Sequence, residues 1–128
     1  MSEFDVGVAG DGYRNYMRIR LSGRLVYENT QAAKEGLRQF VVDGGVGYIL
    51  NLSAVTKIDS TGFGVLINFA KEAAKEKVKV AMVVPSGFMR ELFTISKFHC
   101  IFPIVGSDEE AVAILESGYQ PQMPLGQY

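Results

Sequence analysis

Asp59-Ser60-Thr61 sets one carboxylate and two hydroxyls on consecutive residues, and Gly62-Phe63-Gly64-Val65-Leu66 follows directly. An apolar, strand-like run precedes the triplet and an apolar-periodic stretch follows it, which predicts a strand-to-helix turn. A helix start presents unpaired N–H groups and a partial positive charge, so it tolerates added negative charge such as a phosphate. Ser60 is therefore the expected regulatory phosphorylation site, on a surface expected to bind another protein. Asp and Ser are equally ordinary helix caps, worth about 0.5–2 kcal/mol in that role. Capping does not account for Gly62 and Gly64, since each glycine costs a helix about 1 kcal/mol relative to alanine. The pair points to close backbone approach, by a neighbouring strand or by a docked partner.

The remaining reactive side chains assemble no catalyst. Asp59 to Gly62 resembles the Asp-Thr-Gly of aspartic proteases only superficially, because an extra residue intervenes. Those enzymes also need two carboxylates sharing a proton. His99 is the one histidine. It would have to fold back onto Ser60 to act as its base, and no Gly-x-Ser-x-Gly elbow surrounds that serine. His99 and Cys100 are too few ligands for a metal site, and Phe98, Ile101 and Phe102 favour a buried thiol. Gly44-Gly45-Val46-Gly47 lacks the Lys-Ser/Thr of a phosphate-binding loop. No enzyme, cofactor or metal is expected.

Composition narrows the class further. The 128 residues suffice for one domain with a real core, and 48% hydrophobic against 21% charged residues is ordinary for a globular protein. A net charge of −1, with Lys and Arg scattered, argues against nucleic acid as a partner. The lone Cys100 cannot form an internal disulfide, and the acidic N-terminus resembles no signal peptide. No apolar run approaches the ~20 residues that span a bilayer, so no membrane insertion and a cytoplasmic location are expected.

The elements that must hold the triplet are legible in outline. Phe4–Val8 and Tyr16–Ser22 alternate apolar and polar residues as strands, with turn chemistry at Gly10-Asp11-Gly12 between them. Asn29-Thr30 offers capping side chains to a helix carrying Ala33, Leu37, Phe40 and Val41, which Gly44-Gly45 ends. A strand at Tyr48–Leu52 leads through Val55–Ile58 to Asp59. The next helix places Phe63, Leu66, Ile67, Ala70 and Ala74 on its apolar stripe. A strand at Val78–Val84, a helix at Ser86–Ser96, a strand at Ile101–Val105 and a helix at Glu109–Glu116 complete the order. The expected fold is one α/β domain over residues 1–117, with a mixed, mostly parallel sheet, an N-terminal hairpin and about four helices. Residues 118–128 read as a loosely ordered tail.

In this context Asp59 to Leu66 resembles the signature of the STAS domain, in its small bacterial anti-sigma factor antagonist form. Leu21-Ser22-Gly23-Arg24-Leu25, Ile49-Leu50-Asn51-Leu52, Val80–Val84 and Met89-Arg90-Glu91-Leu92-Phe93 fit the same pattern, and the likeness spans roughly residues 4–117. The resemblance implies binding to an anti-sigma factor, often also a serine kinase, so that a sigma factor is freed. Phosphorylation of the hydroxyl after the motif aspartate releases the antagonist, and a serine phosphatase reverses it. By position the acceptor is Ser60, with Thr61 as the secondary candidate and Asp59 orienting or polarising the acceptor. The implied partner surface comprises Arg24, Val26, Asp59, Ser60, Thr61, Gly62, Phe63 and Gly64. Many members carry Gly-Glu-Leu-Asp where this chain has Gly23-Arg24-Leu25-Val26, a change that could retune the surface toward an acidic patch. The family also holds a second option, a non-phosphorylated scaffold or accessory subunit of a membrane transporter.

Overall fold

The computed structural model describes residues 6–40, 47–76, 78–85, 87, 90–91 and 103–117. Strands β1 (Val6–Tyr13) and β2 (Tyr16–Leu25) form a hairpin, and a single 3-10 turn at Tyr27–Asn29 leads into α1 (Thr30–Arg38). Then come β3 (Gly47–Ile58), α2 (Ser60–Lys75), β4 (Lys79–Val83), β5 (Ile104–Val105) and α3 (Asp108–Glu116). The five strands lie side by side in chain order. β1 and β2 pair antiparallel, whereas β2–β3, β3–β4 and β4–β5 pair parallel. The mixed, mostly parallel sheet with an N-terminal hairpin is as expected. The described residues hold three helices rather than about four. Of the helix expected at Ser86–Ser96, Arg90 and Glu91 are helical, and most of the rest lies outside the described residues. Val41, Gly44, Gly45, His99, Cys100, Ile101 and residues 118–128 also lie outside them.

The hairpin turns later than its glycines indicate. Gly10-Asp11-Gly12 pairs with Ile19, Arg18 and Met17 inside the ladder, and the chain reverses at Arg14-Asn15, where Arg14 takes φ 59°. An edge strand tolerates glycine, and Asp11 directly opposite Arg18 adds an opposite-charge pair that continues the ladder. Gly10 serves packing instead, because a Cβ there would lie 2.3 Å from the Phe40 ring.

Helices α1 and α2 cover one face of the sheet. Ile19, Leu21 and Leu25 of β2, Tyr48, Leu50 and Leu52 of β3, and Val80 and Met82 of β4 bury against Ala33, Leu37, Val65, Leu66 and Phe69. α3 covers the other face, where Ala111, Val112 and Leu115 meet Ile49, Ala81 and Val83. β3 and β4 are thus covered on both faces, which explains their near-continuous apolar runs. The α2 stripe is rotated from the expected one. Gly62, Val65, Leu66, Phe69, Ala70 and Ala73 are buried, Phe63 and Ile67 are partly buried, and Ala74 is exposed. Contact with α1 as well as with the sheet widens the apolar face toward Val65 and Phe69, and the Phe69 ring meets the edge of Tyr48 at 5.2 Å.

Two helix starts also differ from expectation. α3 begins at Asp108, where the Ser107 hydroxyl accepts from the Glu110 N–H at 3.2 Å. Asn29 occupies the cap position of α1, but its side chain donates to the Arg24 carbonyl at 2.8 Å and braces the loop after β2 instead. β2 and β3 run parallel and end at the same edge, so the turn after Leu25 and the start of α2 are brought together there. The carboxyl ends of parallel strands are where α/β folds place their sites.

Candidate functional site

Asp59 is the keystone of this edge. Its backbone is extended, with φ −123° and ψ −174°, so it caps α2 without joining it. One carboxylate oxygen accepts from the Gly62 N–H at 2.9 Å and from the Thr61 hydroxyl at 2.5 Å. The other accepts from the Tyr27 N–H at 3.0 Å, and the Asp59 N–H donates to the Leu25 carbonyl at 3.3 Å. One side chain therefore caps a helix and ties the loop after β2 to it. The Thr61 hydroxyl and then the Gly62 N–H hold the Asp59 carboxyl below the usual aspartate range; burial opposes them, and the N–H groups of Tyr27 and Thr61 add lesser support. The group is ionised at neutral pH.

The two hydroxyls differ in their engagement. Thr61, and not Ser60, is the hydroxyl that Asp59 binds. Ser60 stands exposed as the first residue of α2. The resemblance assigns Asp59 to orienting Ser60; in the structure the carboxylate orients the helix start on which Ser60 sits. Gly64 is exposed with open space where a Cβ would be, and Phe63 is partly buried against the core. Arg24 is partly buried at the end of β2, beside Lys57 of β3. Val26 and Gly62 are buried, so their side-chain positions support the surface rather than form it. Val26, the extended residue directly before the 3-10 turn, is 4% exposed.

Sequence reasoning missed Tyr27. It is 71% exposed, next to the cap, and is the large exposed hydrophobic residue among those described. A tyrosine in a loop carries no periodicity to show which way it faces. Tyr27 also lines a groove of about 560 Å³ between α1 and α2, with Thr30, Lys34, Arg38, Thr61 and Gly64. The groove continues along the two helices as a second cleft of about 470 Å³, whose lining includes Glu72 and Glu76.

Residues 10–111 match the model of the STAS domain. The chain belongs to the STAS domain family. Solved STAS-like folds agree. An anti-sigma factor antagonist from Mycobacterium paratuberculosis superposes with a TM-score of 0.74 at 18% identity, covering 87% of this chain and 94% of that one. The Bacillus cell fate determinant SpoIIAA in its phosphorylated form gives 0.62 at 20% identity, covering 85% and 99%. The murine anion transporter Slc26a9 gives 0.66 at 16% identity, with 84% of this STAS chain matching 19% of the transporter. At such identities the likeness establishes the fold. Among the described residues no helix is long and apolar enough to cross a membrane.

Proposed function

We propose that this STAS protein is an anti-sigma factor antagonist, acting by binding rather than catalysis, and switched off by phosphorylation of Ser60. Its partners in this reading are an anti-sigma factor with serine kinase activity and a serine phosphatase, in the cytoplasm. The observation that carries the reading is the division of labour at the cap: Asp59 holds Thr61 and the helix start, and leaves Ser60 exposed. A phosphate there adds about −1.5 to −2 charge at pH 7, which a helix N-terminus accommodates. At an interface the same charge juxtaposed with like charge costs several kcal/mol, and each ~1.4 kcal/mol is tenfold in affinity. Release then needs no refolding of the domain.

The test uses Ser60→Ala and Ser60→Asp chains as baits in the source organism's lysate, with thermal melts of both as folding controls. An ATPase-type kinase or anti-sigma factor kept by Ser60→Ala and lost by Ser60→Asp supports the switch. Equal recovery on both baits overturns it. A second reading, a non-phosphorylated STAS scaffold or accessory subunit of a membrane transporter, draws on the likeness to part of Slc26a9. Transporter components recovered equally on both baits would favour it.

A further inference from the structure

We infer that the partner seats an acidic segment in the α1–α2 groove, its carboxylates facing Lys34 and Arg38. The inference rests on the partner-binding reading above and names the chemistry of the contact. Lys34 and Arg38 stand one turn apart on α1, which puts both on one face. Both are exposed and line the groove, and among the described residues no ion pair engages either one. The opposite wall offers Thr61, Gly64, Val65 and Asn68 and no carboxylate at this end. Two cations on one side face neutral groups on the other, while the Asp59 carboxylate beside the groove is engaged by Thr61, Gly62 and Tyr27.

Two features make the slot suited to a polypeptide. Tyr27 lines it and stands 71% exposed, on a backbone that Asp59 holds in place, and tyrosine is a common binding anchor. Gly64 has nothing within 4 Å of where its Cβ would be, so a partner backbone can approach α2 closely. Along the α2 wall the lining changes from neutral to acidic, since Glu72 and Glu76 line the adjoining cleft together with Lys34 and Arg38. An acidic segment entering beside Ser60 is therefore set in one direction, with any basic residue toward the far end.

The sign of the groove also explains the sign of the switch. A phosphate on Ser60 would place negative charge on the residue next to Thr61, which lines the slot that the partner fills with carboxylates. Like charges then meet across the contact, and the phosphate competes for the attraction of the cations.

The test compares Lys34→Glu/Arg38→Glu and Lys34→Gln/Arg38→Gln chains with wild type, using the purified kinase that the Ser60→Ala chain retains as the probe. Both positions are exposed, so both variants should melt as wild type does. Charge reversal is expected to weaken binding by about tenfold or more, and the glutamine pair to weaken it less while flattening its salt dependence. Wild-type affinity and salt dependence in the reversed chain, with Ser60→Asp still releasing the kinase, would overturn the acidic-segment inference and leave the switch standing. Weakened binding by the reversed chain, with Ser60→Asp still bound, would uphold the groove and overturn the switch. Tighter binding by the reversed chain would mean that the occupant is basic, and the inference would fail.

Discussion

Gly62 and Gly64 lie two residues apart in α2 under different constraints. A Cβ on Gly62 would sit 2.1 Å from the Leu25 carbonyl oxygen and 2.9 Å from the Ile58 side chain, whereas one on Gly64 meets nothing within 4 Å. Gly62 is the price of packing the start of α2 directly against the end of β2. Gly64 has no such packing reason inside the chain, and in the proposed reading it leaves room for a docked partner, at the cost of a residue that weakens a helix. Gly62→Ala is expected to destabilise the protein by about 1–3 kcal/mol in a urea titration, through overpacking against backbone. Gly64→Ala should leave stability unchanged or raise it by about 0.5–1 kcal/mol, because alanine restricts the unfolded chain. In the proposed reading its effect falls on partner affinity. The motif alone shows both glycines and not which constraint each answers.

At the scale of elements, Arg18 joins the hairpin to α3 on the face opposite the groove. Its guanidinium meets Asp11 through two bonds of 3.0 and 2.6 Å and Asp108 at 2.7 Å, and it lies over the Tyr13 ring at 4.6 Å. Asn51 of β3 donates to the second Asp108 oxygen at 2.8 Å. One cation thus links β1, β2 and the first turn of α3, with β3 as a further support. The Arg18 side chain is only 12% exposed, and that of Asp11 is 47% exposed. Arg18→Met should therefore cost about 1.5–3 kcal/mol, since it leaves Asp108 without its charged partner. Asp11→Asn should cost less than about 1 kcal/mol, as a solvent-screened pair does. Equal losses in urea titrations of the two variants would contradict this ordering. Alternation in the sequence revealed β2 but gave no sign that Arg18 and Asp108 meet, because 90 residues separate them.

For the molecule as a whole, Asp59 and Asp11 are expected to contribute to the response to acid. Asp59 is held below its ordinary value of 3.8 mainly by the Thr61 hydroxyl, and Asp11 is held below it mainly by its bond to Arg18. The unfolded chain therefore binds more protons than the folded one across the ordinary aspartate range. The stability they contribute is fully present above that range and is lost as pH falls through the lowered folded values. Urea titrations from neutral pH downward should show stability decreasing below about pH 5. Asp59→Asn and Asp11→Asn should each be less stable at neutral pH and show a shallower acid decline. An unchanged slope in both would mean that other groups govern it.

The sequence by itself determined the element order, the mostly parallel sheet and the place of the Asp59 turn, because these depend on local signals: period-2 and period-3.6 patterning, capping residues and a contiguous motif. It misplaced the hairpin turn and the phase of α2, since edge-strand tolerance and packing against α1 outweigh local preference. Only the tertiary structure decided that Asp59 binds Thr61, that Val26 is buried and that Tyr27 is exposed. Only it brought Lys34 and Arg38 to the same groove as Thr61 and Gly64. Those facts depend on how two helices lie on a twisted sheet, a relation between residues distant in the chain that no short window of sequence contains.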